Sequence, residues 1–233
     1  MNRRQLLSLL VSAGAGFALQ PDVARAARRR RGGRSKGGGK PKILMPIGDA
    51  TEVVDTFYPY FRLAEEGFEV VVAGPEARLY HLVTHEVPPN SDVPWDITRE
   101  AAGYHLEATI AFRDVDPEDY VGLFVSGGRA PEYLRYDKDL IRAVQHFFKS
   151  EKPVAVVCHG VEIVAAAGVL KGRKMTTVAK CALDVTQVDG TYLDQPCVID
   201  DNLISCRTWH DYNTPFMKEF IHQLKRGDTR KSR

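Results

Sequence analysis

Short apolar runs recur through this chain, and helix-length amphipathic stretches separate them. The runs are 42–47 (KILMPI), 68–74 (FEVVVAG), 120–128 (YVGLFVSGG), 153–158 (PVAVVC) and 202–206 (NLISC). Most are nearly continuous and rich in β-branched residues rather than alternating, the pattern of strands covered on both faces. Between them, 52–67 carries Val53, Phe57, Tyr60, Phe61 and Leu63 at helical spacing, with Pro59 expected to distort the helix. Helices are also expected over 138–151, 160–168 and 213–224, the last capped by Asn213. Residues 77–116 are Pro-punctuated with short alternating runs and read as a peripheral β excursion. Strands alternating with helices predict an α/β fold: a mostly parallel sheet with helices on both faces. No internal repeat interrupts the pattern.

In such folds ligands bind beyond the carboxyl ends of the strands. Ile47-Gly48-Asp49, Ser126-Gly127-Gly128, Cys158-His159 and Cys206-Arg207 are those ends. They should converge, bringing together Glu52, Gly127, Gly128, Cys158, His159 and His210. Cys158 is the sharpest feature. It stands where an apolar run turns into an alanine-rich helical pattern, with Gly160 giving the turn room. A helix starting there offers unpaired N–H groups and a positive dipole end, which favour a thiolate and can hold an oxyanion. The alternative is a buried cysteine packing as a small hydrophobe.

The segments PVAVVCHGVEIVAAAGVLKGRKMTT and VSGGRAPEYLR resemble the ThiJ/PfpI (DJ-1/PfpI) superfamily, closest to its PfpI-like peptidase/glyoxalase branch, over about 41–224. The resemblance implies a flavodoxin-like three-layer sandwich, of the class I glutamine amidotransferase-like kind, in a dimer or higher homo-oligomer. It implies Cys158 as nucleophile, Glu52 as the carboxylic acid bonded to its sulfur, and His159 as the triad histidine of peptidase-like members. Glu132 would serve that histidine from a neighbouring subunit, and Gly127, Gly128 and the His159 N–H would form the oxyanion site. Other readings stand beside these. Glu52 can simply favour a helix N-terminus, His159 can point away from the sulfur, and Glu132 can pair with Arg129 or Arg135. The chain also departs from the pattern. Where relatives place a tyrosine-proline pair, it carries Val178-Ala179-Lys180, and Trp209 and His210 are candidates for a new aromatic wall and a second imidazole.

These residues imply an enzyme with no metal and no organic cofactor. The expected chemistry is glyoxalase- or deglycase-type, on small reactive carbonyls, with peptide or amide hydrolysis as the alternative. A non-enzymatic redox sensor or chaperone is the reading outside enzymology.

The ends carry different information. Residues 1–26 have a basic start with Arg3-Arg4, an apolar stretch from Leu6 to Leu19 and a small-x-small close at Ala24-Arg25-Ala26. They are expected to be a twin-arginine-like signal sending the protein to the periplasm or outside the cell, or tethering it to the membrane if uncleaved. No stable span is expected after processing. Residues 27–40 read as a basic Gly-rich linker, 41–226 as the domain and 227–233 as a polar tail. Residues 1–40 carry a net charge of +9 and the remainder −7, so the body shows no nucleic-acid footprint. Cys181, Cys197 and Cys206 show no metal-ligand spacing and are expected to be buried structural thiols.

Overall fold

The computed structural model describes residues 39–86 and 99–231, with side chains to residue 227. The expected signal, nearly all of the expected linker and the last two residues lie outside them. The strands are β1 (Lys42–Pro46), β2 (Glu69–Gly74), β3 (Leu79–Glu86), β4 (Arg99–Glu107), β5 (Ile110–Ala111), β6 (Tyr120–Val125), β7 (Val154–Val157), β8 (Lys174–Met175), β9 (Thr191–Tyr192), β10 (Cys197–Asp200) and β11 (Leu203–Cys206). The helices are α1 (Val53–Glu65), α2 (Pro131–Leu134), α3 (Lys138–Lys149), α4 (Val161–Ala166), α5 (Ala182–Thr186) and α6 (Phe216–Lys231). The expected tail thus begins as helix.

The main sheet has the order β10-β11-β7-β6-β1-β2-β5. Every pairing is parallel except β10 with β11. The chain leaves β1 for β2 on one side and returns to β6 on the other, so the switch point lies between β1 and β6. All five apolar runs of the sequence are strands of this sheet. The excursion is a separate antiparallel hairpin, β3 with β4.

Alternate residues of each strand serve opposite cores. Leu44, Leu123, Val125 and Val156 pack with Val144 and Phe147 of α3 and Val164 of α4. Ile43, Met45, Phe124 and Val157 pack with Leu63 of α1 and Phe216 and Phe220 of α6. The result is the three-layer α/β sandwich that the strand pattern dictated.

Pro59 lies inside α1, which runs on through it. A proline leaves the carbonyl four residues earlier without its helical donor. Here that carbonyl belongs to Asp55, and it accepts instead from the Ser126 and Tyr212 hydroxyls, each at 3.3 Å. Two bonds thus stand in for the missing helical one and pin α1 to the end of β6 and to the loop after β11.

Phe124 has no exposed surface and sits edge-on to Phe216 and Phe220, with centroids 6.0 Å away in each case. Phe124→Ala should lower unfolding free energy by about 3–5 kcal/mol, read as a shift of the denaturant midpoint. A loss below about 1 kcal/mol would show that this layer does not anchor α6.

Candidate active site

Cys158 follows β7 directly and adopts φ +56, in the left-handed region that disfavours side chains with a Cβ. Its neighbours hold it there. The Thr177 hydroxyl donates to the Cys158 carbonyl at 2.7 Å. Gly160 leaves no space for a side chain, since a Cβ would meet the Val125 and Ser126 carbonyl oxygens at 2.8 and 3.0 Å. The elbow expected from the sequence is therefore present, with a turn of 3-10 helix over Cys158–Gly160 leading into α4.

The Gly127-Gly128 pair explains itself physically. A Cβ on Gly127 would meet Cys158 Cβ at 2.5 Å, Asp55 Oδ2 at 2.6 Å and Cys158 Sγ at 3.0 Å. Gly128 has φ +87, and its Cβ would strike the Ala50 carbonyl and the Glu52 N–H, both at 2.4 Å. The Arg129 and Ala130 N–H groups then donate to that Ala50 carbonyl at 2.8 and 3.2 Å. The GGRAP stretch thus docks the end of β6 onto the loop after β1, beside the sulfur.

The sulfur has an imidazole in contact: Cys158 Sγ lies 3.2 Å from His159 Nδ1. Adjacent side chains often diverge, but the left-handed elbow turns these two together. Burial, followed by the positive charges of His85 and Lys180, lowers the His159 pKa to about 4. The ring is neutral at pH 7 and can accept a proton. Cys158 is only 8% exposed. Burial and then the Asp55 carboxyl push its thiol well above the usual range, while the His159 and Gly128 N–H groups pull the other way. This corrects the expectation of a thiolate favoured by the helix start. Desolvation outweighs the few N–H groups of a six-residue helix and favours a thiol beside a neutral imidazole.

Glu52 caps α1, its Oε2 accepting from the Asp55 N–H at 2.5 Å. The carboxyl that faces the sulfur is that of Asp55, one turn further on. Glu52 is 1% exposed and Asp55 0%. Glu52 Oε1 and both Asp55 carboxyl oxygens are buried without a partner of hydrogen-bond geometry. The Cys158 thiol and the Gly127 and Trp209 N–H groups are near enough to lower the Asp55 pKa, but burial and then the Glu52 charge raise it well above the ordinary value. Burial raises Glu52 as well. Two buried carboxyls this close share protons rather than carry two charges.

The other expected residues fall in different places. The Gly127 N–H faces Asp55, and the Gly128 N–H faces the sulfur. The Trp209 ring stacks on His210 at 3.6 Å, while the Trp209 backbone N–H reaches toward Asp55. His210 is exposed and contacts Thr208 through Nδ1 at 3.2 Å. The Glu132 side chain is 51% exposed and pairs with Arg129 at 3.4 Å. Val178, standing where the resemblance places an aromatic hydroxyl, packs against both cores.

Sequence reasoning missed the place of five residues around the site. Asp55 lies three residues after Glu52, so helical spacing was its available signal. Tyr212, whose hydroxyl bonds the Asp55 carbonyl, lies three residues after Trp209. His85 stands 6.5 Å from the His159 ring, between centroids, and pairs with Glu100 at 3.0 Å. Glu162 and Cys181 form with His159 a group whose ligand-type atoms lie within 4.8 Å of one another, the one such trio among the described residues. Arg135 already engages that Glu162 at 3.2 Å and Asp184 at 2.9 Å. A soft divalent cation would have to displace the guanidinium to use this trio.

A profile of the DJ-1/PfpI family matches residues 41–223. The chain belongs to that family. It is 33% identical over 184 residues to a Pyrococcus furiosus protein named Deglycase PfpI, covering 79% of this chain and 99% of that one. It is 34% identical over 209 residues to Protein DJ-1 homolog D of Arabidopsis thaliana, covering 88% of this chain and 52% of the plant protein. The fold agrees with that of a ThiJ/PfpI domain protein from Brachyspira murdochii, at a TM-score of 0.67 and 16% identity over 81% of this chain and 99% of the other. Schizosaccharomyces pombe DJ-1 gives a TM-score of 0.60 at 16% identity, over 79% and 97% of the two chains. DJ-1/PfpI relatives named deglycases give the family an enzymatic role.

If Asp55 is protonated because it is buried, its folded pKa is raised above the unfolded value. Its contribution to stability is then complete below about pH 4 and is lost as pH rises toward the folded pKa. Asp55→Asn should therefore gain on wild type as pH rises. Denaturant midpoints compared at about pH 4 and about pH 8 read this. A variant that instead falls further behind at the higher pH would show that Asp55 is held as a stabilising anion.

Proposed function

We propose that this protein is a cysteine-dependent enzyme of the deglycase/glyoxalase type, acting on small reactive carbonyls such as methylglyoxal. The observation that carries the reading is the 3.2 Å contact between the Cys158 sulfur and a neutral His159 ring, with two shared-proton carboxyls behind it. The names of the relatives support the substrate class.

The steps follow from what each group can give or take. As Sγ attacks the aldehyde carbon, its proton passes to His159 Nδ1, which hands it on to the carbonyl oxygen to complete a hemithioacetal and returns to its neutral form. The His159 and Gly128 N–H groups favour negative charge at this point. The carboxyl pair then takes the proton from the former aldehyde carbon while the neighbouring carbonyl oxygen gains one, giving an enediol; a proton returns to the neighbouring carbon as the first hydroxyl gives up its own. The adduct becomes a thioester of a hydroxy acid. Water cleaves that thioester, releasing the acid and restoring the thiol. One carboxyl must be ionised to accept a proton and one protonated to donate it, and a buried coupled pair supplies that state near neutral pH.

Self-association is part of the proposal, because Glu132 is exposed and can serve a second copy by exchanging its contact with Arg129. Export by a twin-arginine-type signal rests on residues 1–26 alone.

Methylglyoxal turnover tests the reading. Cys158→Ala should abolish it, and Glu52→Gln and Asp55→Asn should each lower kcat by about 100-fold or more. The acid limb of kcat/KM should bend near about pH 4, where His159 takes up a proton. Turnover that survives Cys158→Ala would overturn the proposal. Cleavage of a quenched peptide without methylglyoxal turnover would assign the same thiol–imidazole pair to a peptidase.

A further inference from the structure

Three thiols stand outside the chemistry above, and two of them face each other. β10 and β11 form an antiparallel hairpin whose register sets Cys197 directly opposite Cys206. Asp201 and Asn202 make its two-residue turn, with Asp201 at φ +52, as a tight hairpin requires. The position matters. Antiparallel pairs alternate between hydrogen-bonded and non-hydrogen-bonded sites. The Arg207 N–H donates to the Pro196 carbonyl at 3.0 Å, so 196 and 207 form a hydrogen-bonded pair. Cys197 and Cys206, one step inward, form a non-hydrogen-bonded pair, where the strands' Cα atoms approach to about 4.5 Å and the side chains are closest. Disulfides span Cα separations of about 4.4–6.8 Å.

Both side chains lie on the same face of the sheet, in the core shared with Phe216 and Met217. The two sulfurs are not bonded to each other in this structure. Cys206 is fully buried and donates to the Thr208 carbonyl at 3.3 Å. Cys197 is half-buried on the strand at the sheet's edge, within reach of a small reagent.

We propose that Cys197 and Cys206 form a reversible cross-strand disulfide, made by exchange with a small disulfide such as oxidised glutathione. Cys197, the accessible partner, loses its proton and attacks one sulfur of the reagent. A mixed disulfide forms and one glutathione thiol leaves. Cys206 then loses its proton and attacks the Cys197 sulfur, and the second glutathione thiol leaves. The protein gives up two electrons and two protons, and the reagent becomes two thiols. Burial holds both thiols above the usual range, so exchange quickens as pH rises. The register sets the two Cα atoms within the range that a disulfide spans, so the bond calls for the side chains to turn toward each other, Cys206 leaving the Thr208 carbonyl. It would close the open end of the hairpin that leads into Thr208 and Trp209, beside Asp55. Cys158 takes no part, so the proposal stands apart from the catalytic reading.

The test is fragment mapping of the folded full-length protein after incubation with oxidised glutathione. A protease that cuts before aspartate separates the two cysteines at Asp200 and Asp201. The expected product is a fragment pair joined through Cys197 and Cys206, about 2 Da lighter than the sum of the free peptides. It should disappear on reduction, be absent from Cys197→Ser, and persist in Cys158→Ala. The proposal is overturned if both cysteines remain alkylatable after unfolding while glutathione has reacted elsewhere. It is equally overturned if the link found joins either of them to Cys158 or Cys181, or if Cys197 stops at the glutathione adduct.

Discussion

A carboxyl group sealed from water must be neutral, paired or expensive, and Asp55 has no partner of good geometry for either oxygen. Its neighbours are a second buried carboxyl and a thiol. The rest of the site is arranged around that condition. Gly127 is glycine because a methyl group would strike both the Asp55 oxygen and the Cys158 side chain. Pro59 frees the Asp55 carbonyl, and Ser126 and Tyr212 take up the vacant acceptor. Glu52 caps the helix through the Asp55 N–H and in doing so brings its own carboxyl alongside. Each feature has a local cause, and together they keep shared protons, rather than two full charges, next to the sulfur.

That arrangement changes how the thiol works. A helix start and a left-handed elbow suggest an ionised sulfur waiting for substrate. Desolvation and the nearby acids oppose that state more strongly than the His159 and Gly128 N–H groups support it. In the proposed mechanism the neutral imidazole supplies the alternative: the sulfur would shed its proton as it attacks, not before. A buried thiol is also a poorer target for peroxide than a standing thiolate, since oxidation follows thiolate character and exposure.

The layers of the fold were legible because they depend on short-range pattern. Continuous β-branched runs became the sheet's strands, and helical spacing set α1, α3 and α6. Cys158 was legible because glycine at 160 and the strand end together mark an elbow. Asp55 was not, although it lies one helical turn from Glu52. Whether a carboxyl on α1 faces the sulfur depends on where the Gly127 and Trp209 backbones pass, and those lie more than seventy residues away in sequence. The thiol's resting state was misjudged for a related reason: a helix terminus is visible in sequence, but the depth of burial around it is not. The facing of Cys197 and Cys206 was hidden because residues 197–200 did not register as a strand, and without that strand there was no register to read.

The thiolate absorbance of Cys158 across pH, taken as wild type minus Cys158→Ala, tests the central claim most directly. A sulfur held as a thiol by burial and buried acids should ionise only above the ordinary thiol range of about 8.5, with no thiolate signal at neutral pH. A full thiolate signal at pH 7 would contradict the account. It would mean that the carboxyls carry less influence at the sulfur than the N–H groups of the elbow.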